Sequence, residues 1–341
     1  GETDSIEDLV GSTFADVLRG NDVVNHLFGG GAGDFIDGGN GNDFLFGDGG
    51  NDTVKGGDGA DHMDGGDGID TLQYTAASGQ SGVYVDLVSG TGTFGQAQGD
   101  VVYGFENIVG TAVDDIFLAG DNGVNRIDAG AGNDLVNGRG GGDSLIGGSG
   151  TDTLSYLGSP TGVTVNLATG AASGGWAAGD SFGGFENIAG SHANDVLTGN
   201  AGANELIGRG GDDSLLGGEG GDRLIGEAGL DRMWGGAGAD TFLWRFVSEG
   251  GVGAARDRVN DFSVTEGDRI DLAAIDANAG LAGAQDFAFT GTSAFSGLGQ
   301  VRFLHSGGNT VVQLNTEGGD AADMEILLTG IHDLTSAQFL L

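Results

Sequence analysis

Aspartates recur at every ninth residue through three stretches of this chain, and oxygen donors at that spacing suit a hard divalent cation such as calcium. In the first stretch they are Asp16, Asp34, Asp43, Asp52, Asp61 and Asp70, with Asn25 in the second place. The second stretch carries Asp115, Asp134, Asp143 and Asp152, with Asn125 in the second place. The third carries Asp195, Asp213, Asp222, Asp231 and Asp240, with Asn204 in the second place. An aliphatic residue follows two positions later, as Leu18, Leu27, Ile36, Leu45, Val54, Met63 and Leu72 do in the first stretch. The full phrase, GGxGxDxUx with U a large apolar residue, stands intact as GGNGNDFLF (38–46), GGSGTDTLS (147–155) and GGAGADTFL (235–243).

Donors spaced in this way need a scaffold that brings them into line. A glycine turn followed by a three-residue strand makes half a coil, so two repeats close one flattened coil of about 18 residues. Stacked coils lie about 4.8 Å apart, which sets each sixth-position aspartate beside its counterpart one full coil later. Six such pairs keep aspartate at both ends: Asp34 with Asp52, Asp43 with Asp61, Asp52 with Asp70, Asp134 with Asp152, Asp213 with Asp231, and Asp222 with Asp240. Two carboxylates about 5 Å apart repel by roughly 3 kcal/mol at an effective dielectric near 20, and a divalent ion between them reverses the sign. Two buried aliphatics per coil are also too few to offset the backbone entropy of ordering it. The repeats are therefore expected to fold only with their ions, as a parallel β-roll. All-oxygen ligation from two adjacent loops suits calcium better than magnesium, which demands tight octahedral geometry and keeps its waters. Pairs that include Asn25, Asn125 or Asn204 should bind more weakly or form a side-chain ladder instead. Asp16, Asp115 and Asp195 sit in glycine-poor loops, where an Asx-turn role explains them as well as weaker ligation does.

Composition narrows the partners. The 341 residues include 75 glycines, one proline (Pro160) and no cysteine, so collagen, disulfides and thiolate metal sites are excluded. Fifty acidic against 12 basic residues give a formal net charge of -38, which makes nucleic acid a poor partner. No stretch is long and apolar enough to span a bilayer, and the acidic start GETDSIEDLV does not read as a cleavable signal peptide. With no initiator Met, the chain reads as the C-terminal part of something longer.

The repeats fall into blocks at 11–73, 110–155 and 190–243, following the end of a connector at 1–10. Connectors at 74–109 and 156–189 share GVxVxL, a Gly-Asp pair and GFENIxG, and the opening DSIEDLVG (4–11) looks like the tail of another. Their alternation at Val83, Val85 and Leu87, and at Val163, Val165 and Leu167, predicts strands that extend or cap the stack. Asp100 and Asp180, in the Gly-Asp pairs, are not assigned as ligands. From 244 to 341 the nine-residue period stops, and short strand-like segments with a hairpin at HSGGN (305–309) predict a C-terminal β module.

The nonapeptide is the signature of the calcium-binding parallel β-helix of RTX proteins. With the tail GADTFLW (238–244), DRVNDFSVTEGDRIDLAAIDAN (257–278) and DMEILLTGIHDLTSAQFLL (323–341), the chain resembles RTX proteins secreted by the type I pathway of Gram-negative bacteria. That tail is similar to the serralysin-type C-terminal module. The resemblance implies calcium held by the aspartate carboxylates and by loop carbonyls of Gly39, Gly41, Gly57, Gly59, Gly66, Gly68, Gly130, Gly132, Gly148, Gly150, Gly218, Gly220, Gly236 and Gly238. It implies several Ca²⁺ ions, roughly six to twelve, at sites of this hard-oxygen type. It also implies an uncleaved export signal ending in Phe339, Leu340 and Leu341, the type I secretion machinery as partner, and an extracellular or cell-surface location. The protease chemistry of that family does not carry over, because His26, His62, His192, His305 and His332 form no HExxH.

No catalytic residue is assigned, since nearly all acids are explained by repeat position. The leading expectation is a non-catalytic calcium-binding module that folds after export. One alternative is a structural surface protein, an adhesin or surface-layer subunit that uses calcium for assembly. The other is the C-terminal RTX part of a secreted protease, lipase or polysaccharide lyase or epimerase. Cell-surface or extracellular polysaccharide remains an open partner, disfavoured by the charge unless ions or Arg126, Arg139 and Arg209 offset it.

Overall fold

The computed structural model describes residues 7–76, 80–278, 280–281 and 283–341. The chain divides into two compact units, Gly1–Tyr156 with Trp176–Phe185, and Leu157–Gly175 with Glu186–Leu341. Both are all-β, and the helical segments among the described residues are three-residue 3₁₀ turns such as Gly95–Ala97.

In the first unit, successive repeats send their strands alternately into two parallel sheets. Val17–Arg19, Phe35–Asn40, Thr53–Asp58 and Thr71–Gln73 stack in one, and His26–Gly31, Phe44–Gly49 and His62–Asp64 in the other. The register repeats every two nonapeptides, with Leu18 over Ile36, Ile36 over Val54 and Val54 over Leu72, and with Leu27 over Leu45 and Leu45 over Met63. These eighth-position side chains form the thin core of the roll: Leu18 keeps 9% exposure and the rest 0%.

The first connector continues the stack. Asn107–Val109 lies parallel between Thr71–Gln73 and Arg126–Ala131, carrying one sheet straight into the second block. In the other sheet Val101–Tyr103 pairs with His62–Asp64. There the antiparallel strands Thr91–Thr93 and Tyr84–Asp86 follow before Phe117–Ala119 resumes the parallel order. Val83 and Val85, expected on a strand face, are fully buried. Of the opening segment, residues 4–6 lie outside the described residues, and Asp8–Val10 pairs parallel with His26–Gly31.

The second unit repeats the plan. Thr164–Asn166 and Ala171–Ser173 form an antiparallel pair whose first strand docks on Val196–Thr198, and Asn187–Ala189 docks on Glu205–Gly210. The ladder outlasts the nine-residue period, which the sequence places as ending at Leu243. Asp257–Val259 stacks on Arg232–Ala237 and Arg269–Asp271 on Thr241–Leu243, adding two rungs with longer loops. Met324–Leu328 and Phe339–Leu340 pair in turn with those rungs. The HSGGN segment is a hairpin turn: Gln300–Ser306 and Asn309–Asn315 pair antiparallel across Gly307 and Gly308, both with positive φ, as a tight primed turn requires.

Candidate metal centre

All six aspartate pairs come together, through a backbone amide rather than carboxylate to carboxylate. The N–H of each earlier aspartate donates to Oδ1 of the later one: Asp34 to Asp52 at 2.7 Å, Asp43 to Asp61 at 2.8 Å and Asp52 to Asp70 at 2.7 Å. The same bond joins Asp134 to Asp152 and Asp213 to Asp231 at 2.9 Å, and Asp222 to Asp240 at 2.8 Å. One oxygen of each acid is thus spent on holding the rungs in register.

The other oxygen has a different fate. Oδ2 of Asp34, Asp43, Asp52, Asp61, Asp70, Asp134, Asp143, Asp213, Asp222, Asp231 and Asp240 is buried, and no donor among the described residues reaches it. Each turns into the loop of its own repeat, so that a Cβ added at Gly38 or Gly47 would sit 2.5 Å from Oδ2 of Asp43 or Asp52. A buried, unmet carboxylate oxygen is costly, and a cation is the partner that offsets it. Burial pushes the Asp213 carboxyl up to about 8, with repulsion from Asp231 and Asp195 adding to it. For the same leading reason Asp134, Asp143 and Asp231 rise to about 7, and Asp52, Asp61 and Asp222 to about 6.

Among the described residues no group of three or more His, Cys, Asp or Glu side chains gathers as a metal cluster, so further ligands here would have to be carbonyl oxygens. The fourteen glycines expected to supply them all adopt positive φ, from +96° at Gly236 to +156° at Gly68. Gly59 shows why: at φ +155° an added Cβ would collide with the Gly41 carbonyl of the rung beneath. His26 stacks on Phe44 and His62 tilts against it, His305 and His332 bond to backbone carbonyls of the C-terminal module, and His192 lies in the loop of Asp195, where its charge favours the carboxylate.

The ends of the carboxylate rows are built differently. Asp16, Asp115 and Asp195 each accept at Oδ2 from the N–H four residues back, those of Ser12, Thr111 and Ser191, the local-turn arrangement. Asn25, Asn125 and Asn204 accept likewise from Asn21, Asp121 and Asn200, and direct Nδ2 to the carbonyls of Glu7, Glu106 and Glu186. An aspartate there would set a carboxylate against a carbonyl, which accounts for asparagine in the second unit of every block.

At the far ends stand acids that the repeat pattern does not mark. Asp100, Asp180, Asp257 and Asp268 accept at Oδ1 from the N–H groups of Asp61, Asp143, Asp231 and Asp240, and Glu106 accepts from Asp70. Their connector or tail positions hide them from a search at nine-residue spacing. The one visible signal was the Gly-Asp pair shared by the two connectors.

This fold and these rows define a calcium-binding β-roll of the RTX type. Family models agree: the RTX calcium-binding nonapeptide repeat (4 copies) matches residues 10–45, 19–54 and 37–72, and the peptidase M10 serralysin C terminal matches residues 105–341. The chain belongs to the serralysin C-terminal family. Repeats and modules of this kind are typical of type I secreted extracellular proteins. Similar solved structures include two subunits of the mannuronan C5-epimerase from Azotobacter vinelandii. AlgE6R3 is 29% identical over 43% of this chain and 78% of that one, and AlgE6R2 is 29% identical over 44% and 88%, both with a TM-score of 0.32. The extracellular lipase LipA from Serratia marcescens is 16% identical, over 100% of this chain and 40% of the lipase, with a TM-score of 0.30. No curated protein matches the chain.

Proposed function

We propose that the chain is a non-catalytic calcium module that folds on extracellular calcium after type I export from a Gram-negative cell. The ligands would be Asp34, Asp43, Asp52, Asp61, Asp70, Asp134, Asp143, Asp152, Asp213, Asp222, Asp231 and Asp240, with carbonyls of the fourteen positive-φ glycines. Calcium supplies the positive charge that lets buried carboxylates stack. The observation that carries this reading is the row of buried Oδ2 atoms, those of Asp43, Asp52 and Asp61 among them, that no donor among the described residues reaches.

The export signal would be the last segment. Phe339 is buried and Phe339–Leu340 is paired with Arg269–Asp271, so a signal at that end is accessible only before this strand docks. Folding triggered by calcium outside the cell satisfies that order. A second reading, the C-terminal part of a secreted enzyme, is favoured by the serralysin family match.

Far-UV circular dichroism during a calcium titration and subsequent chelation tests the main reading. β signal should rise at about 0.1 to 1 mM calcium, the range of extracellular modules, and collapse with chelator. A chain that keeps its β signal in chelator at neutral pH would refute it.

A further inference from the structure

Three of the row-ending acids accept a hydrogen bond at Oδ2 from a buried aromatic side chain. The Tyr74 hydroxyl donates to Oδ2 of Asp100 at 2.9 Å, the Tyr156 hydroxyl to Oδ2 of Asp180 at 3.0 Å, and the Trp244 indole N–H to Oδ2 of Asp257 at 2.7 Å. All three aromatics are buried, Tyr74 at 2% exposure and the other two at 0%. Each directly follows the ninth position of the last nonapeptide in its block, where a further repeat would open with glycine. In an ordinary repeat Oδ2 faces that opening glycine, as in Gly38 with Asp43. In the end rung an aromatic with a polar hydrogen stands there instead, and the acid facing it is delivered by the connector or tail.

We propose that Tyr74, Tyr156 and Trp244 are the stop residues of the calcium rows, each putting a side-chain donor where the preceding rungs would hold a cation. This rests on the calcium reading above. The donor meets the last carboxylate's second oxygen without adding a ligand, and the ring fills the space that the glycine loop leaves open. A row can then end against a folded connector with no ion at its outermost rung. Three independent copies of the pairing, two through tyrosine and one through tryptophan, identify the common element as the donor rather than the ring. Asp268 shows the same solution with a backbone donor, its Oδ2 accepting from the Ser263 N–H at 2.8 Å.

The test uses the full chain, isothermal titration calorimetry for the number of bound ions, and circular dichroism for the calcium midpoint of folding. Asp61→Asn should lower the number of ions, whereas Asp100→Asn should leave it unchanged. Tyr74→Phe and Tyr156→Phe keep the ring and remove only the hydroxyl. Each should raise the calcium midpoint by roughly 1.5- to 2-fold, a tenfold loss of folding equilibrium from the unmet buried acceptor spread over the several ions that bind on folding. Asp100→Asn added to Tyr74→Phe should bring the midpoint back to the wild-type value, because the unmet charge is gone. A purely packing role for the ring would show no such rescue. The stop-residue assignment is overturned if Asp100→Asn loses an ion as Asp61→Asn does, if neither Phe variant shifts the midpoint, or if the double variant keeps the full shift. A wild-type chain that binds no calcium at all would overturn the calcium reading, and this inference with it.

Discussion

The backbone N–H of Asp34 donates to Oδ1 of Asp52 at 2.7 Å while Oδ2 of Asp52, buried in its own loop, is reached by no donor among the described residues. Register and cation demand are thereby divided between two oxygens of one side chain. Asp115 lacks that division: Val83 N–H and the Thr111 hydroxyl serve Oδ1, and the Thr111 N–H serves Oδ2. Asp52→Asn can keep the register bond, but it replaces the free oxygen with an amide that cannot ligate. It should therefore lose bound calcium and raise the folding midpoint several-fold. Asp115→Asn should retain the wild-type number of ions. Equal ion counts for the two variants, measured by calorimetric titration, would contradict this division.

Glycine carries the close approach between rungs, and two positions separate that effect from a generic loss of flexibility. At Gly59, alanine would be held at positive φ with its Cβ driven into the Gly41 carbonyl. At Gly183, on the exposed strand Ser181–Gly183, nothing lies within 4 Å of an added Cβ. Gly59→Ala should cost at least about 1–3 kcal/mol in saturating calcium, and Gly183→Ala should be close to neutral. Urea denaturation of both variants decides the matter; a neutral Gly59→Ala would mean that the loops are looser than their geometry indicates.

How much of this was legible beforehand follows from where the period of nine holds. Eighth-position residues such as Ile36 and Val54, and sixth-position acids such as Asp43 and Asp61, fall on a spacing set by the coil itself. Asp100, Asp180 and Asp257 do not, because connector and tail lengths set their separation from the preceding rung: 39 residues from Asp61 to Asp100 and 26 from Asp231 to Asp257. Asn25, Asn125 and Asn204 stood out in the sequence, but the reason for asparagine did not, because the Glu carbonyls that receive the amides belong to the preceding connector. The ladder also runs past Leu243, since Val259 and Ile270 supply buried rungs without glycine-rich loops between them.

The first connector's hairpin strand is tied to the second block by charge. Arg139 places Nη1 and Nη2 at 2.8 Å from the two carboxylate oxygens of Asp86, and Nη1 also donates to the Gly120 carbonyl. Burial works against ionisation of Asp86, but the Arg139 fork and the Ser89 and Val88 amides outweigh it and hold the carboxyl below its ordinary range. With Asp86 and Arg139 side chains only 11% and 17% exposed, Arg139→Ala should destabilise the first unit by about 3 kcal/mol. Arg139→Lys should recover only part of that, because an ammonium cannot make the planar two-point contact. Chemical denaturation in saturating calcium is the measurement, and a loss below about 0.5 kcal/mol for Arg139→Ala would show the fork to be ornamental.

Protons and calcium compete for the same oxygens, and the sign of the pH dependence follows from the shifts. In the fold, burial lifts Asp213 to about 8, Asp134, Asp143 and Asp231 to about 7, and Asp52, Asp61 and Asp222 to about 6, against an ordinary value of 3.8. Without a cation, the folded chain binds more protons than the unfolded chain between these limits. Its stability is then fully present below about pH 4 and falls as pH rises through about 6 to 8. In chelator, the chain should show more β signal at about pH 5 than at pH 8, with protons standing in for the ions. In calcium the dependence reverses: each ion must displace protons, so the calcium midpoint should rise as pH falls from about 8 to 5. Circular dichroism over that range, with and without chelator, tests both halves at once. A chelated chain with the same β signal at every pH, or a calcium midpoint indifferent to pH, would show that these carboxylates are not the groups whose charge the fold must neutralise.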